Sequence, residues 1–406
     1  MTAHATVSDI DGVYAWTRLA VSVLLATVGC AGMWVIVIVI PAIEVEFGVD
    51  RAGASLPYTA TMIGFALGSV VVGHAVDRIG YWIPALVASI AIGLGLILAA
   101  MSASAWQFTA AHGILIGLGS SAMFGPLIAD ISHWFEKRRG VAVATAACGN
   151  YFAGAFWPVV VPFFIDAYGW RATYVGLGAV SLLVMVPLTF LLRRKVNHAA
   201  AGRLSAAPVR RALSLSPAQL QALLVLAGFG CCMAMAMPQV HIVAYCMDLG
   251  YGVARGAEML ALMLAGGVVS RLASGFLADR IGGIRTLLIG SVLQCLALAA
   301  YIPFDGLASL YAVSLIFGLS QGGIVPSYAV IVREYMPARE AGRRIGVVLM
   351  ATIIGMAAGG WTSGWIYDLT GSYAMAFLNG IAWNAINIGV MLLILLRDRE
   401  PSAKTA

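Results

Sequence analysis

The stretch GHAVDRIG, residues 73–80, recurs as GFLADRIG at residues 275–282, an offset of 202 in a chain of 406 residues. Asp166 and Gly169 recur at the same offset as Asp368 and Gly371, and GLGSSAMFGP at 117–126 is echoed by GLSQGGIVP at 318–326. Two related halves are therefore expected. Each copy of the octapeptide separates two apolar segments of about 20 residues, the length that crosses roughly 30 Å of hydrocarbon.

Working outward from the repeat, twelve such segments fit between turns, six on each side of a basic stretch rich in Ala, Ser and Pro. The chain is 61% hydrophobic and only 10% charged, with a mean hydropathy of +0.93, which excludes an ordinary soluble domain. The predicted fold is an all-α polytopic membrane protein with two pseudo-symmetric six-helix bundles. It divides into a tail at 1–17, a bundle at 18–192, a linker at 193–217, a second bundle at 218–396 and a tail at 397–406. The amino terminus has no basic region or small-residue cleavage site and is read as retained. The six cysteines are scattered through apolar segments without metal-ligand or disulfide spacing.

The net charge of +6 is a topology signal. With both termini cytoplasmic, every Lys and Arg falls in cytoplasmic loops and tails except Arg51, Arg171 and Arg255 on the other side and Arg271 inside the membrane. That asymmetry follows the positive-inside rule and removes any need for a nucleic-acid partner. Lys137-Arg138-Arg139 and Arg193-Arg194-Lys195 read as orientation anchors that also meet anionic lipid.

The repeated G-x-x-x-D-R-x-G resembles the loop motif of the major facilitator superfamily. The resemblance implies that Gly73, Asp77, Arg78 and Gly80, with Gly275, Asp279, Arg280 and Gly282, form a conformational latch. The basic run that follows the motif in that family is missing after Gly80, and only Arg285 remains of it in the second copy. DGVYAW at 11–16 and HWFEKRRG at 133–140, running into AVATAACGNYFAG, are similar to two motifs of the monocarboxylate porters. That narrower resemblance implies transport of short monocarboxylates such as lactate or pyruvate, as proton symport or anion exchange (antiport).

Arg271 sits in AGGVVSRLASGFLADRIGG, residues 265–283, eight residues and about 12 Å before Asp279. A cation at that depth costs at least ~2.5–3.5 kcal/mol on insertion scales and normally faces a cavity or a partner. The eighteen acidic residues fall in loops, tails or helix ends. The repeat counterpart of Arg271 is Ser69, so the shared scaffold does not demand the charge. The expected counter-ion is then a substrate carboxylate, which a planar guanidinium fork matches in a bidentate pair. The porter family resembles this chain in carrying an arginine in helix eight. It also carries an aspartate one turn earlier, where this chain has Gly267, and a lysine late in helix one, where only apolar residues and Trp34 stand. The oxalate/formate antiporters, a neighbouring group, add a second cation in helix eleven, which VVLMATIIGMAAGGW lacks. A single cation suits a monoanion.

Asn150, Tyr151 and Gln321 fall near mid-membrane, where they either orient a bound anion or hydrogen-bond between helices. Trp34, Tyr328 and Trp361 are candidate walls of the site. His112 and His241, toward the outer third of helices four and seven, are candidate proton carriers, or else hydrogen-bonded packing residues. No phosphate-binding loop or H-E-x-x-H cluster is present, so the sequence offers neither an ATP-driven pump nor an enzyme, and no cofactor. An anion antiporter of the oxalate/formate type, or efflux of another organic anion or a drug, is the second function the sequence leaves open. The expected protein is a monomeric secondary transporter of a bacterial inner membrane.

Overall fold

The computed structural model describes residues 10–194, 213 and 215–398. The predicted tail at 1–17, linker at 193–217 and tail at 397–406 thus lie largely outside the described residues. Among the described residues there are helices and turns and no strand. In hydrocarbon every backbone N–H and C=O must be satisfied within the protein, and a helix does this within one segment.

Eleven stretches are long and apolar enough to cross a membrane. One of them, Arg139–Phe190, has 52 residues and would be about 78 Å long if continuous, more than twice the hydrocarbon thickness. Gly169 divides it, with φ 79° and ψ 162° inside an otherwise helical run. Twelve helices result: α1 Val13–Phe47, α2 Arg51–Ile79, α3 Trp82–Ala100, α4 Ala105–Ser132, α5 139–168, α6 170–190, α7 Pro217–Asp248, α8 Val253–Ile281, α9 Gly283–Ala300, α10 Leu307–Tyr335, α11 Ala338–Thr370 and α12 Tyr373–Asp398.

The repeat is visible in the backbone. Gly48 and Gly250, Gly80 and Gly282, and Gly169 and Gly371 are three pairs at the offset of 202, and all six glycines have positive φ. Positive φ is cheap only for glycine, so each pair marks the same tight chain reversal made twice. The fourth helix of each half is also interrupted: α4 at Met123–Phe124 and α10 at Gly322–Gly323. Interruptions at corresponding places in two halves mark the position of binding sites in secondary transporters.

The chain forms two compact units that do not coincide with the sequence halves. The first contains α1–α6 together with residues 242–265, and the second contains the rest of α7, α8 from residue 266, and α9–α12. Inside the first unit, Arg51 at the start of α2 pairs with Glu44 and, at 3.3 Å, with Asp248 at the end of α7. Arg171 on α6 donates to Glu46 through Nε at 2.8 Å and to the Ser102 carbonyl at 2.9 Å. Both clusters lie at the end of the helices away from GHAVDRIG.

At the GHAVDRIG end the structure departs from expectation. Arg18, counted with the loop charges, lies inside α1 and is 2% exposed. Its Nε and Nη2 donate to the two carboxylate oxygens of Asp130 on α4, at 2.8 and 2.9 Å. Its Nη1 donates to the Leu192 carbonyl at 3.0 Å, and the guanidinium carbon lies 4.6 Å from the centroid of the Trp134 ring. One cation thereby ties α1, α4 and the end of α6 together. Removing one member of such a pair leaves an uncompensated buried charge, at a cost of about 3–5 kcal/mol. Arg18→Met and Asp130→Leu should each lower the thermal unfolding temperature in detergent, and the double variant should recover part of the loss. Additive losses would show that the two side chains are not coupled.

Candidate functional site

Helices α8 and α10 cross closely in the second unit. A Cβ added to Gly322 would lie 2.2 Å from the Gly267 carbonyl oxygen and 2.8 Å from the Arg271 backbone nitrogen, and one on Gly323 would strike the Ser274 side chain. The two backbones touch there because glycine stands at the crossing. A break inside hydrocarbon releases carbonyls from the helical ladder. The Gly322 carbonyl accepts from Nε of half-buried Arg271 at 3.3 Å. The arginine thus makes a scaffold contact at Nε.

Gln321, one residue before the break, is fully buried and accepts from Nε2 of Gln239 on α7 at 2.6 Å. Gln239 was not singled out by the sequence. Its only signal there was an amide in an otherwise apolar run, AMAMPQVHIV.

In the first unit, Trp34 and Asn150 come together. The indole N–H of Trp34 on α1 is shared between the Asn150 backbone carbonyl at 3.1 Å and its side-chain oxygen at 3.0 Å. Gly154, one turn along α5, allows the approach, since a Cβ there would lie 3.0 Å from the Trp34 ring and 2.0 Å from Leu264. Tyr151, beside Asn150, is buried. Tyr328 is placed differently. It is wholly buried and donates its hydroxyl to Asn387 on α12 at 3.0 Å, within a network in which Asn387 and Asn384 both donate to Ser291. Trp361 on α11 is 37% exposed and stacks on Trp365, with ring centroids 6.1 Å apart.

Both histidines are fully buried, and the hydrogen-bond pattern assigns their tautomers. Thr61 spends its only hydroxyl proton on the Pro57 carbonyl at 2.7 Å, so it must accept from Nδ1–H of His112 at 3.2 Å. Nε2 of His112 then accepts from the Tyr174 hydroxyl at 3.3 Å. His112 sits in a π-helical turn, Ala111–Gly117, a geometry frequent at functional sites. His241 has the opposite tautomer. Its Nε2–H donates to the Gly360 carbonyl at 2.7 Å, and Nδ1 accepts from the Tyr373 hydroxyl at 3.4 Å. In each half a buried histidine is thus held by a tyrosine of the last helix.

Comparison with known proteins bears on what such an arrangement does. The sequence matches the description Major Facilitator Superfamily over residues 22–337 and 259–406. The chain belongs to the major facilitator superfamily. It is 25% identical over 358 residues to monocarboxylate transporter 13 of Bos taurus, covering 87% of this chain and 83% of that one. It is 27% identical over 308 residues to the fujikurins efflux protein of Gibberella fujikuroi (strain CBS 195.34 / IMI 58289 / NRRL A-6831), covering 74% and 64%. In fold it is similar to a bacterial homolog of the human lysosomal transporter Spinster, solved inward-facing and occupied. That likeness has a TM-score of 0.73 and 16% identity, and it covers 96% of this chain and 99% of that one. The protein is an integral membrane transporter of this superfamily.

The superfamily loop motifs can be read in that light. Gly80 and Gly282 make the turns, with φ 83° and 84°. Asp77, Arg78, Asp279 and Arg280 are exposed and form no ion pair among the described residues. The second copy is held instead by Glu334 on α10, which accepts from the Gly283 N–H at 3.1 Å. Gly73 and Gly275 have open space where a Cβ would stand. Gly322→Ala should therefore lower the thermal unfolding temperature, by about 1–3 kcal/mol of stability, whereas Gly275→Ala should leave it unchanged. Equal effects in the two variants would contradict the close α8–α10 crossing.

Proposed function

We propose that this protein is a secondary transporter of small organic monocarboxylates of the lactate and pyruvate kind, cycling by alternating access. Arg271 carries the proposal. It is a permanent cation in a membrane-spanning helix, fixed at Nε by the carbonyl of a broken neighbour. A guanidinium held in that way is oriented before substrate arrives, which lowers the entropic cost of binding a carboxylate. The relative named as a monocarboxylate transporter supports the same substrate class.

Gln321 directly precedes Gly322, whose carbonyl holds the arginine, and with Trp361 it is a candidate substrate contact of the second unit. Trp34, Asn150 and Tyr151 are the candidate contacts of the first. Tyr328 contributes by stiffening α10 through Asn387. In this reading the substrate neutralises Arg271 and so lowers the cost of its occlusion.

Coupling is to a proton, in symport, or to a second anion, in antiport. His112 and His241 are the proton-carrying candidates, because a neutral imidazole already bonded to a tyrosine gains a proton by reorienting that hydroxyl. The exposed motif residues act as the conformational latch. The distribution of basic residues supports cytoplasmic termini and contacts with anionic lipid, and the short loops are the ground for a bacterial inner membrane. A monomer suffices for this cycle, and neither cofactor nor nucleic acid takes part in it. One observation favours a second reading, efflux of a larger organic anion or drug: a fungal relative is named as an efflux protein.

Uptake of radiolabelled pyruvate, lactate, formate, oxalate and benzoate into proteoliposomes, with and without an imposed pH gradient, tests the proposal. Pyruvate or lactate should accumulate, and Arg271→Ala should abolish uptake while keeping its helical content. Stimulation by an inward proton gradient would identify symport, and stimulation by internal anion would identify exchange. Undiminished uptake by folded Arg271→Ala would overturn the assignment.

A further inference from the structure

The amide pair Gln239–Gln321 has an asymmetry that packing alone does not require. Both side chains are buried, at 2% and 0% exposure, and Gln239 Nε2 donates to Gln321 Oε1. Gln321 Nε2 is buried with no hydrogen-bond partner among the described residues. The other buried amides of the second unit commit their nitrogens: Gln294 to the Cys231 carbonyl, Asn384 to the Ser291 carbonyl, and Asn387 to Ser291 Oγ. A buried N–H without an acceptor is unfavourable, and native proteins rarely tolerate one.

The position of this donor gives it a meaning. Gln321 immediately precedes Gly322, whose carbonyl binds Arg271. In the first half, GLGS at 117–120 aligns with GLSQ at 318–321, so Ser120 stands in the place of Gln321. Ser120 donates its single proton to the Gly29 carbonyl at 2.8 Å and leaves nothing over. The scaffold therefore needs one interhelical hydrogen bond here, and the second half supplies that bond plus a spare donor.

The geometry points to Gln239 as a positioning residue for substrate selectivity. By donating to the Gln321 carbonyl, Gln239 fixes the orientation of that amide and leaves its NH2 as a donor. An acceptor at carbon 2 of an anion whose carboxylate rests on Arg271 completes the bond. This inference rests on the monocarboxylate reading above. It adds that the transporter discriminates by hydrogen-bond polarity at carbon 2, and that α7, which carries no charge at this level, sets the polarity.

The orientation can be released with little change of volume. In Gln239→Met the donor to the Gln321 carbonyl is gone, so the Gln321 amide can turn its carbonyl toward the substrate. A keto oxygen then loses its fixed donor, whereas a hydroxyl can donate to the newly presented carbonyl. Gln321→Met removes the amide at nearly constant volume.

The test measures KM for pyruvate, lactate and propionate in proteoliposomes containing wild type, Gln239→Met, Gln321→Met or Arg271→Gln. Wild type should prefer pyruvate to propionate. Gln321→Met should raise the pyruvate KM ~10-fold and leave propionate nearly unchanged, the loss of one hydrogen bond. Gln239→Met should shift the pyruvate-to-lactate preference toward lactate. A merely structural role would weaken all three acids together, and that result would overturn the inference. So would unchanged ratios in both glutamine variants while Arg271→Gln is inactive, which leaves the monocarboxylate reading standing. Absence of uptake of all three acids by folded wild type overturns both.

Discussion

A carbonyl released from a broken helix inside hydrocarbon must find a donor, and for Gly322 that donor is Arg271. The glycine crossing of α8 and α10 brings them together, since any Cβ at 322 would collide with the Gly267 carbonyl oxygen. The interruption, the close approach and the cation are therefore one device. Without the break there would be no free carbonyl to orient the guanidinium. Without the guanidinium the break would leave a polar group in an apolar medium, at a cost of several kcal/mol.

The first unit meets the same constraint by a different route. It carries its own buried arginine, Arg18, but spends both sides of that fork on Asp130 and a third donor on the Leu192 carbonyl. A cation whose carboxylate partner is built into the chain acts as a structural tie. The two arginines thus illustrate how the same side chain becomes scaffold in one half and candidate binding site in the other. Their difference lies in the neighbouring elements: a carboxylate fixed on α4 in one case, a glycine break on α10 in the other.

Much of the fold was legible in the sequence because the repeat is written in residue types that have a backbone meaning. Glycines at 48, 80 and 169 and their counterparts at 250, 282 and 371 all adopt positive φ. Arg271 was equally conspicuous, as a lone charge in an apolar run. Arg18 was not. Five residues into the first helix it looks like an end-of-helix charge, and its partner lies 112 positions away, so its burial depends on tertiary contacts. The boundary between α5 and α6 was legible, because the Asp166–Gly169 repeat marks a turn there and the backbone of Gly169 makes it. Trp34 was suggested as a wall and Asn150 by its depth, but their mutual bond was not, and the Gln239–Gln321 pair required the relative rotation of α7 and α10 to be known.

The central claim is that Arg271 is the anion-binding group of a transporter, and equilibrium binding of pyruvate to purified protein addresses it without the complications of flux. Titration calorimetry on wild type and on Arg271→Gln, at matched thermal stability, separates binding from folding. Saturable binding by wild type that disappears in the variant is the predicted result. Binding of equal affinity by both proteins would contradict the account.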